Sequence, residues 1–283
     1  MFKFIYSCLK PILKKSIFSI KKFLLLDKLN HFEMNGNIDN FSYFKFIKRT
    51  QLKVPFSNGR SIRGCSFEKN ILKDPIYKII YQISKNTPLG EIKNDFSEFL
   101  KIEKTLSARD IVGLKNNEKL NKYPAWSYLL PWEDIDIDYK FKNYKKIQRI
   151  KREEKSIEYG YKNNFSNFND LYSSEMVESQ VLQSMKLFEK ISKLGFIYKL
   201  GLPSFFILVN NKKWRWYVSQ GNHRSYTLHV LKQKFLEGTI ESVIDRKNSH
   251  LWPNVQNGLY DCRDAEKIFD CFFEGKGPIG PCI

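Results

Sequence analysis

The sequence predicts an α+β fold: a small mixed sheet with helices in its C-terminal part, preceded by a mainly helical region and a basic amphipathic N-terminal helix. Three observations predict it. From Pro203 the chain reads strand, tight turn, strand, glycine turn, helix and a further short strand (PSFFILVNNKKWRWYVSQGNHRSYTLHVLKQKFLEGTIESVI). The stretches over 75–104 and from Ser174 to Gly195 repeat apolar residues at helical spacing. Residues 1–28 put apolar side chains on one helical face and lysines on another.

A chain of 283 residues can bury a sizeable core as one large domain or two modest ones. Hydrophobic residues at 42% and aromatics at 15% exclude a disordered chain. The formal net charge is +18, and the segments 1–28 and 140–155 contribute +12 of it. That excess points to phosphorylated ligands, nucleic acid or an anionic membrane surface as partners. Lysines gathered on solvated faces account for the overall charge equally well. The five cysteines (Cys8, Cys65, Cys262, Cys271 and Cys282) are odd in number and contain no Cys-x-x-Cys pair. Neither a disulfide framework nor a metal site is expected, and a cytoplasmic location is. Lysines interrupt every apolar run near the N-terminus, so no secretory signal or spanning helix is expected.

In residues 1–28, Phe2, Ile5, Leu9, Ile12, Leu13, Ile20 and Phe23 share one face, and Lys3, Lys10, Lys14, Lys21 and Lys28 another, with Pro11 interrupting. Such a segment suits peripheral attachment at the inner face of a membrane; the alternative is a helix packed on its own domain. Residues 29–170 form a mixed, mostly helical region. Within it, Arg60 and Arg63 flank Ser61 and can either cradle an anion or pair with local carboxylates; pairing is expected. Two helices come next, separated by Thr87-Pro88-Leu89-Gly90. Tyr123, Trp126, Tyr128 and Trp132 read as core ahead of a ring-binding surface. Asp134, Asp136 and Asp138 would share one face of a strand, and the Asp-Ile-Asp spacing is similar to a metal-binding motif of some glycosyltransferases. A solvated acidic edge is the better reading. Residues 140–160 read as a basic helix, solvated or tracking phosphates. The polar stretch 163–170 is placed as the boundary before a domain over 171–283.

In that domain, Val177, Val181, Met185, Phe188 and Ile191 form the stripe of a helix that Gly195 closes. Phe205–Val209 and Trp214–Ser219 read as a hairpin, Ser225–Lys234 as a helix closed by Gly238, and Ile240–Ile244 as a strand. Asp261 caps a last helix. The chemistry gathers at Gly221-Asn222-His223-Arg224. Glycine allows a positive φ and close approach of the backbone to a ligand. The helix behind it presents unpaired N–H groups and the positive end of its dipole, which suits phosphate. His223 and Arg224 add charge-assisted donors, and Ser225 a hydroxyl. Otherwise Asn222 caps the helix, with His223 and Arg224 bonded to local carbonyls.

On the Gly221–Arg224 turn and its flanking elements, residues 175–245 resemble the ParB/sulfiredoxin-like domain superfamily in a Gly-Asn-His-Arg variant. The resemblance implies a turn holding nucleotide phosphates through Gly221, Asn222, His223, Arg224 and Ser225, with ATP or ADP and Mg²⁺ as cofactors. Asn222 stands where sulfiredoxins carry their catalytic cysteine, so sulfinic acid reduction is not expected. Too little chain comes after residue 245 for a partitioning protein's helix-turn-helix domain. The pattern is closer to ParB-like small-molecule kinases. It therefore implies a phosphotransferase on a small or sugar-like substrate; the candidate catalytic residues are His223 in the turn and Glu175 and Glu178, which are taken only for their place on the preceding helix. Two alternatives stay open: a nucleic-acid-binding, nuclease-like protein, and a non-catalytic nucleotide-binding regulator at a membrane surface.

Overall fold

The computed structural model describes residues 51–143, 172–196 and 201–277. The amphipathic segment 1–28, nearly all of the basic helix 140–160 and the linker 163–170 lie outside the described residues. In chain order the elements are β1 (Gln51–Pro55), β2 (Gly59–Arg60), α1 (Pro75–Ser84), α2 (Leu89–Lys104), α3 (Ala108–Val112), α4 (Glu118–Asn121), α5 (Ser174–Leu194), β3 (Ser204–Asn210), β4 (Lys213–Gln220), α6 (Asn222–Val230), β5 (Phe235–Asp245), α7 (Pro253–Gln256) and α8 (Cys262–Glu274).

The five strands form one mixed sheet in the order β1-β5-β3-β4-β2. β3 and β4 make the expected antiparallel hairpin, turning through Asn211 at φ 54°. Asparagine tolerates that left-handed conformation better than most residues. β5 returns parallel to β3. β1 is antiparallel to β5 at one edge, and the short β2 is parallel to β4 at the other.

Strand alternation sorts the interior into two faces. Phe205, Ile207, Val209, Trp214, Trp216 and Val218 pack on one side with Ile80 of α1, Leu187 and Ile191 of α5, and Tyr226 of α6. Leu208, Tyr217 and Ile244 pack on the other with Trp132, Trp252 and the Phe269–Phe272 face of α8. A third cluster joins α1, α2 and the first half of α5 through Ile79, Ile92, Phe96, Val177 and Val181. The mixed α+β class expected from the sequence holds.

The boundary placed at residue 170 is not a division of this core. Val54, Phe56 and Phe67 share a cluster with Phe205 and Trp216, and both edge strands come from residues 51–60. The α5 helix starts and ends as expected, with Ser173 capping Met176 N–H and Gly195 at its C-terminus. Its buried stripe is rotated: Ser184 and Leu187 are buried, while Met185 sits at the margin.

Two other expectations are corrected. Gly238 does not close a helix; it lies inside β5. A Cβ there would come within 2.5 Å of the Phe205 ring and 2.6 Å of the Pro203 carbonyl, so close strand approach explains the glycine. Nor do Asp134, Asp136 and Asp138 lie along a strand. Asp136 caps a helical stretch over 137–143 by accepting from Tyr139 N–H, and Asp138 accepts from the Tyr123 hydroxyl. Local Asx bonding has won over extended pairing, which leaves no shared aspartate face. Among the described residues no helix is long and apolar enough to cross a membrane.

Candidate functional site

The Gly221 turn sits where β4 leaves the sheet and α6 begins. Gly221 is the N-cap residue, at φ 75° and ψ 27°, and no side chain caps the helix. A Cβ at this position would lie 2.8 Å from Arg224 Nη2 and 3.1 Å from the Pro203 Cα. The glycine therefore serves both a left-handed φ and the passage of the Arg224 side chain across the turn. Arg224 Nη1 donates to the Gly201 carbonyl, which holds the guanidinium beside the mouth of the helix.

The five residues expected to bind phosphate divide into two groups. Gly221, Asn222 and Arg224 are partly exposed at the rim. His223 and Ser225 are buried. The His223 Nδ1 lies 3.2 Å from Asn222 Oδ1. The Ser225 hydroxyl donates 3.1 Å back to the Gly221 carbonyl, which also accepts from Ser225 N–H at 3.0 Å. Thr227 bonds the His223 carbonyl in the same way at 2.8 Å. These back-bonds turn both hydroxyls inward, onto carbonyls of the turn and of α6 itself.

The candidate carboxylates are not gathered with it. Glu175 is exposed in the first turn of α5, and a hydrogen bond from its own backbone N–H holds its carboxyl below the usual range. Glu178 is ion-paired with Lys93 at 2.7 Å. Both belong to the half of α5 that packs on α2, whereas Leu187 and Ile191, further along, share the cluster holding α6.

Arg60 and Arg63 take the pairing alternative. Arg60 is 4% exposed and donates to the Phe272 and Phe273 carbonyls at the end of α8, through Nε at 3.1 and 3.2 Å and Nη2 at 2.7 Å. Burial, and then the neighbouring Arg215, lower its pKa to about 10. Arg63 bonds the Glu103 carboxylate and lies 4.9 Å over the Phe99 ring. Burial opposes its charge, but Glu103, together with Tyr128 and Asp74, more than restores it, and the net shift is upward.

The sequence does not single out a buried polar group that lies inside the fold. Asp74, with no exposed surface, accepts from Ile76 and Tyr77 N–H at the start of α1 and from the Tyr226 hydroxyl at 2.9 Å. The same hydroxyl accepts from Ile62 N–H at 3.2 Å. One turn further along both helices, the Tyr77 hydroxyl meets His229 Nδ1 at 2.8 Å. The Asp74-Pro75 pair carries the signature of a helix start, so the cap is readable, but not its partner 152 residues away. Glu133, between Leu130 and a set of tyrosines, has its carboxyl pushed upward by burial, against Lys140 and the Leu130 N–H. Among the described residues, no group of three or more His, Cys, Asp or Glu is placed to hold a metal ion. Compared with known proteins, the chain matches no family model, no curated protein and no solved structure.

Proposed function

We propose that this chain binds a phosphate group, of a nucleotide or a phosphorylated small molecule, at the Gly221–Arg224 turn. One observation carries the reading. A nine-residue helix opens on a left-handed glycine with no side-chain cap, and an arginine side chain is folded across the same turn. Oriented N–H groups and a helix dipole favour an anion, and a guanidinium can engage two of its oxygens. His223 and Ser225 support the turn from within.

The reading stops at binding. Phosphoryl transfer also needs a group to orient the acceptor. Glu175 is out in solvent and Glu178 is tied to Lys93, so neither supports that role. With no cluster of ligating side chains among the described residues, any Mg²⁺ would be carried chiefly by the phosphates of a bound nucleotide.

A thermal-shift panel of inorganic phosphate, pyrophosphate, ADP, ATP and CTP, each with and without Mg²⁺, tests the reading. A ligand at about 100 times its Kd adds about 2.7 kcal/mol of stability, which is several degrees in Tm. Arg224→Ala should abolish the shift. No shift with any of these ligands contradicts the proposal.

A further inference from the structure

We infer that Asp74 and Tyr226 are positioning residues for the Gly221–Arg224 turn, an inference that rests on the phosphate-binding reading of that turn. The geometry starts from two rungs between helices. Asp74 meets Tyr226 at 2.9 Å, and Tyr77 meets His229 at 2.8 Å. Each pair of positions is three residues apart on its own helix and rises in the same direction. α1 and α6 therefore run parallel in this contact, one helical turn between rungs.

Two parallel helices set their positive ends toward the same side. The α1 end is quenched: Asp74 Oδ1 takes the N–H groups of Ile76 and Tyr77. The α6 end has no side-chain cap. Tyr226 joins the two. Its hydroxyl donates to Asp74 Oδ2 and accepts from Ile62 N–H, and no part of the residue is exposed. Three segments thus meet at one buried oxygen: the start of α1, the loop at Ile62 and α6 itself. The ring is held as well, edge-on to Phe67 at 5.8 Å and to Tyr77 at 5.7 Å.

Gly221 lies five residues before Tyr226 in the chain, about one and a half helical turns. Between them, the Ser225 hydroxyl and N–H both bond the Gly221 carbonyl, which ties the turn to the first turn of α6. Fixing Tyr226 therefore fixes the direction in which the first N–H groups and Arg224 point. Pre-organisation of this kind lets a binding turn hold its geometry before the ligand arrives.

Asp74→Asn separates positioning from simple electrostatics. The amide keeps the shape and one acceptor oxygen for the α1 cap. Its NH₂ would face a tyrosine hydroxyl that already accepts from Ile62, so the hydroxyl proton loses its acceptor. If Asp74 acted only through its charge, neutralising it would strengthen phosphate binding. If it positions the turn, neutralising it weakens binding.

The test measures pyrophosphate affinity by calorimetry on the full chain, together with Tm and the backbone amide resonances of Asn222 and Arg224. Tyr226→Phe and Asp74→Asn should each weaken binding at least tenfold and move those resonances in the ligand-free protein. Tyr77→Phe, at the rung further from the turn, should lower Tm while changing affinity less than twofold. Unchanged affinity in Tyr226→Phe, or tighter binding in Asp74→Asn, overturns the inference. A wild type that does not bind pyrophosphate overturns the phosphate reading instead. In that case unmoved resonances in Tyr226→Phe would also overturn the positioning role.

Discussion

The Tyr77 hydroxyl lies 2.8 Å from Nδ1 of His229, inside a cage formed with the Phe56 and Phe67 rings at 4.9 and 5.0 Å from the imidazole. Burial, and then Lys232, lower the His229 pKa to about 4. Burial also raises Tyr77 to about 12. Both groups are therefore neutral in the folded protein at pH 7, and a single proton joins the hydroxyl and Nδ1.

This pair gives the fold a pH dependence of definite sign. The folded pKa of His229 is below its unfolded value of about 6.5, so the unfolded chain takes up the proton more readily. The stability contributed by neutral His229 is full above pH 6.5 and is lost as pH falls through that value toward 4. The loss should be about 2 kcal/mol after allowing for partial solvent screening. Melting curves of wild type and His229→Gln at intervals from pH 7.5 to 4 check it. The stability gap between them should narrow steadily below pH 6.5, and a gap independent of pH contradicts it.

Arg60→Met should be strongly destabilising although it touches no candidate site. It leaves the Phe273 carbonyl at the end of α8 without its buried donor and the Phe272 carbonyl with the Gly275 N–H alone. Unsatisfied buried acceptors cost about 1–3 kcal/mol each, so a loss of about 3 kcal/mol is expected. Arg60→Lys should recover only part of it, because an ammonium cannot reproduce the fork of the guanidinium. Urea unfolding midpoints of the three proteins give the comparison.

Two glycine substitutions should have opposite signs. Gly238→Ala would drive a methyl into the Phe205 ring and the Pro203 carbonyl and should cost about 2 kcal/mol or more. Gly90→Ala, in the first turn of α2, meets nothing within 4 Å and should add about 0.5 kcal/mol. Tm values for both variants decide the matter.

Breaking the Arg63–Glu103 pair from one side should cost more than removing it from both. Each side chain is largely buried, at 20% and 10% exposure, and the cation also lies over Phe99. Glu103→Gln leaves the guanidinium without its counter-charge and should cost about 3 kcal/mol. Arg63→Met combined with Glu103→Gln should cost less than the two single changes added together. Full additivity would show that the contact contributes little.

Local features of the fold were legible, and distant ones were not. The hairpin announces itself at Asn210-Asn211-Lys212, α5 through its helical period and Gly195, and α8 through Asp261. β1 and β2 escaped because five residues and two residues carry too little period to read. Their pairing is with strands more than 150 positions away. Gly238 misled because a glycine after a helical pattern reads as its end, while the actual reason, the Phe205 ring, comes from a neighbouring strand. At the candidate site the turn and its glycine were legible. The inward direction of Ser225 and His223 was not, because it depends on the hydroxyl back-bond and on packing.

The central claim is that phosphate is held by the first turn of α6. Titrating inorganic pyrophosphate into the ¹⁵N-labelled full chain, and tracking the backbone amides of Asn222, His223 and Arg224, tests it most directly. Saturable shifts at these amides, absent in Arg224→Ala, are the predicted result. Amides that stay in place at millimolar pyrophosphate, or shifts confined to other segments, would contradict it.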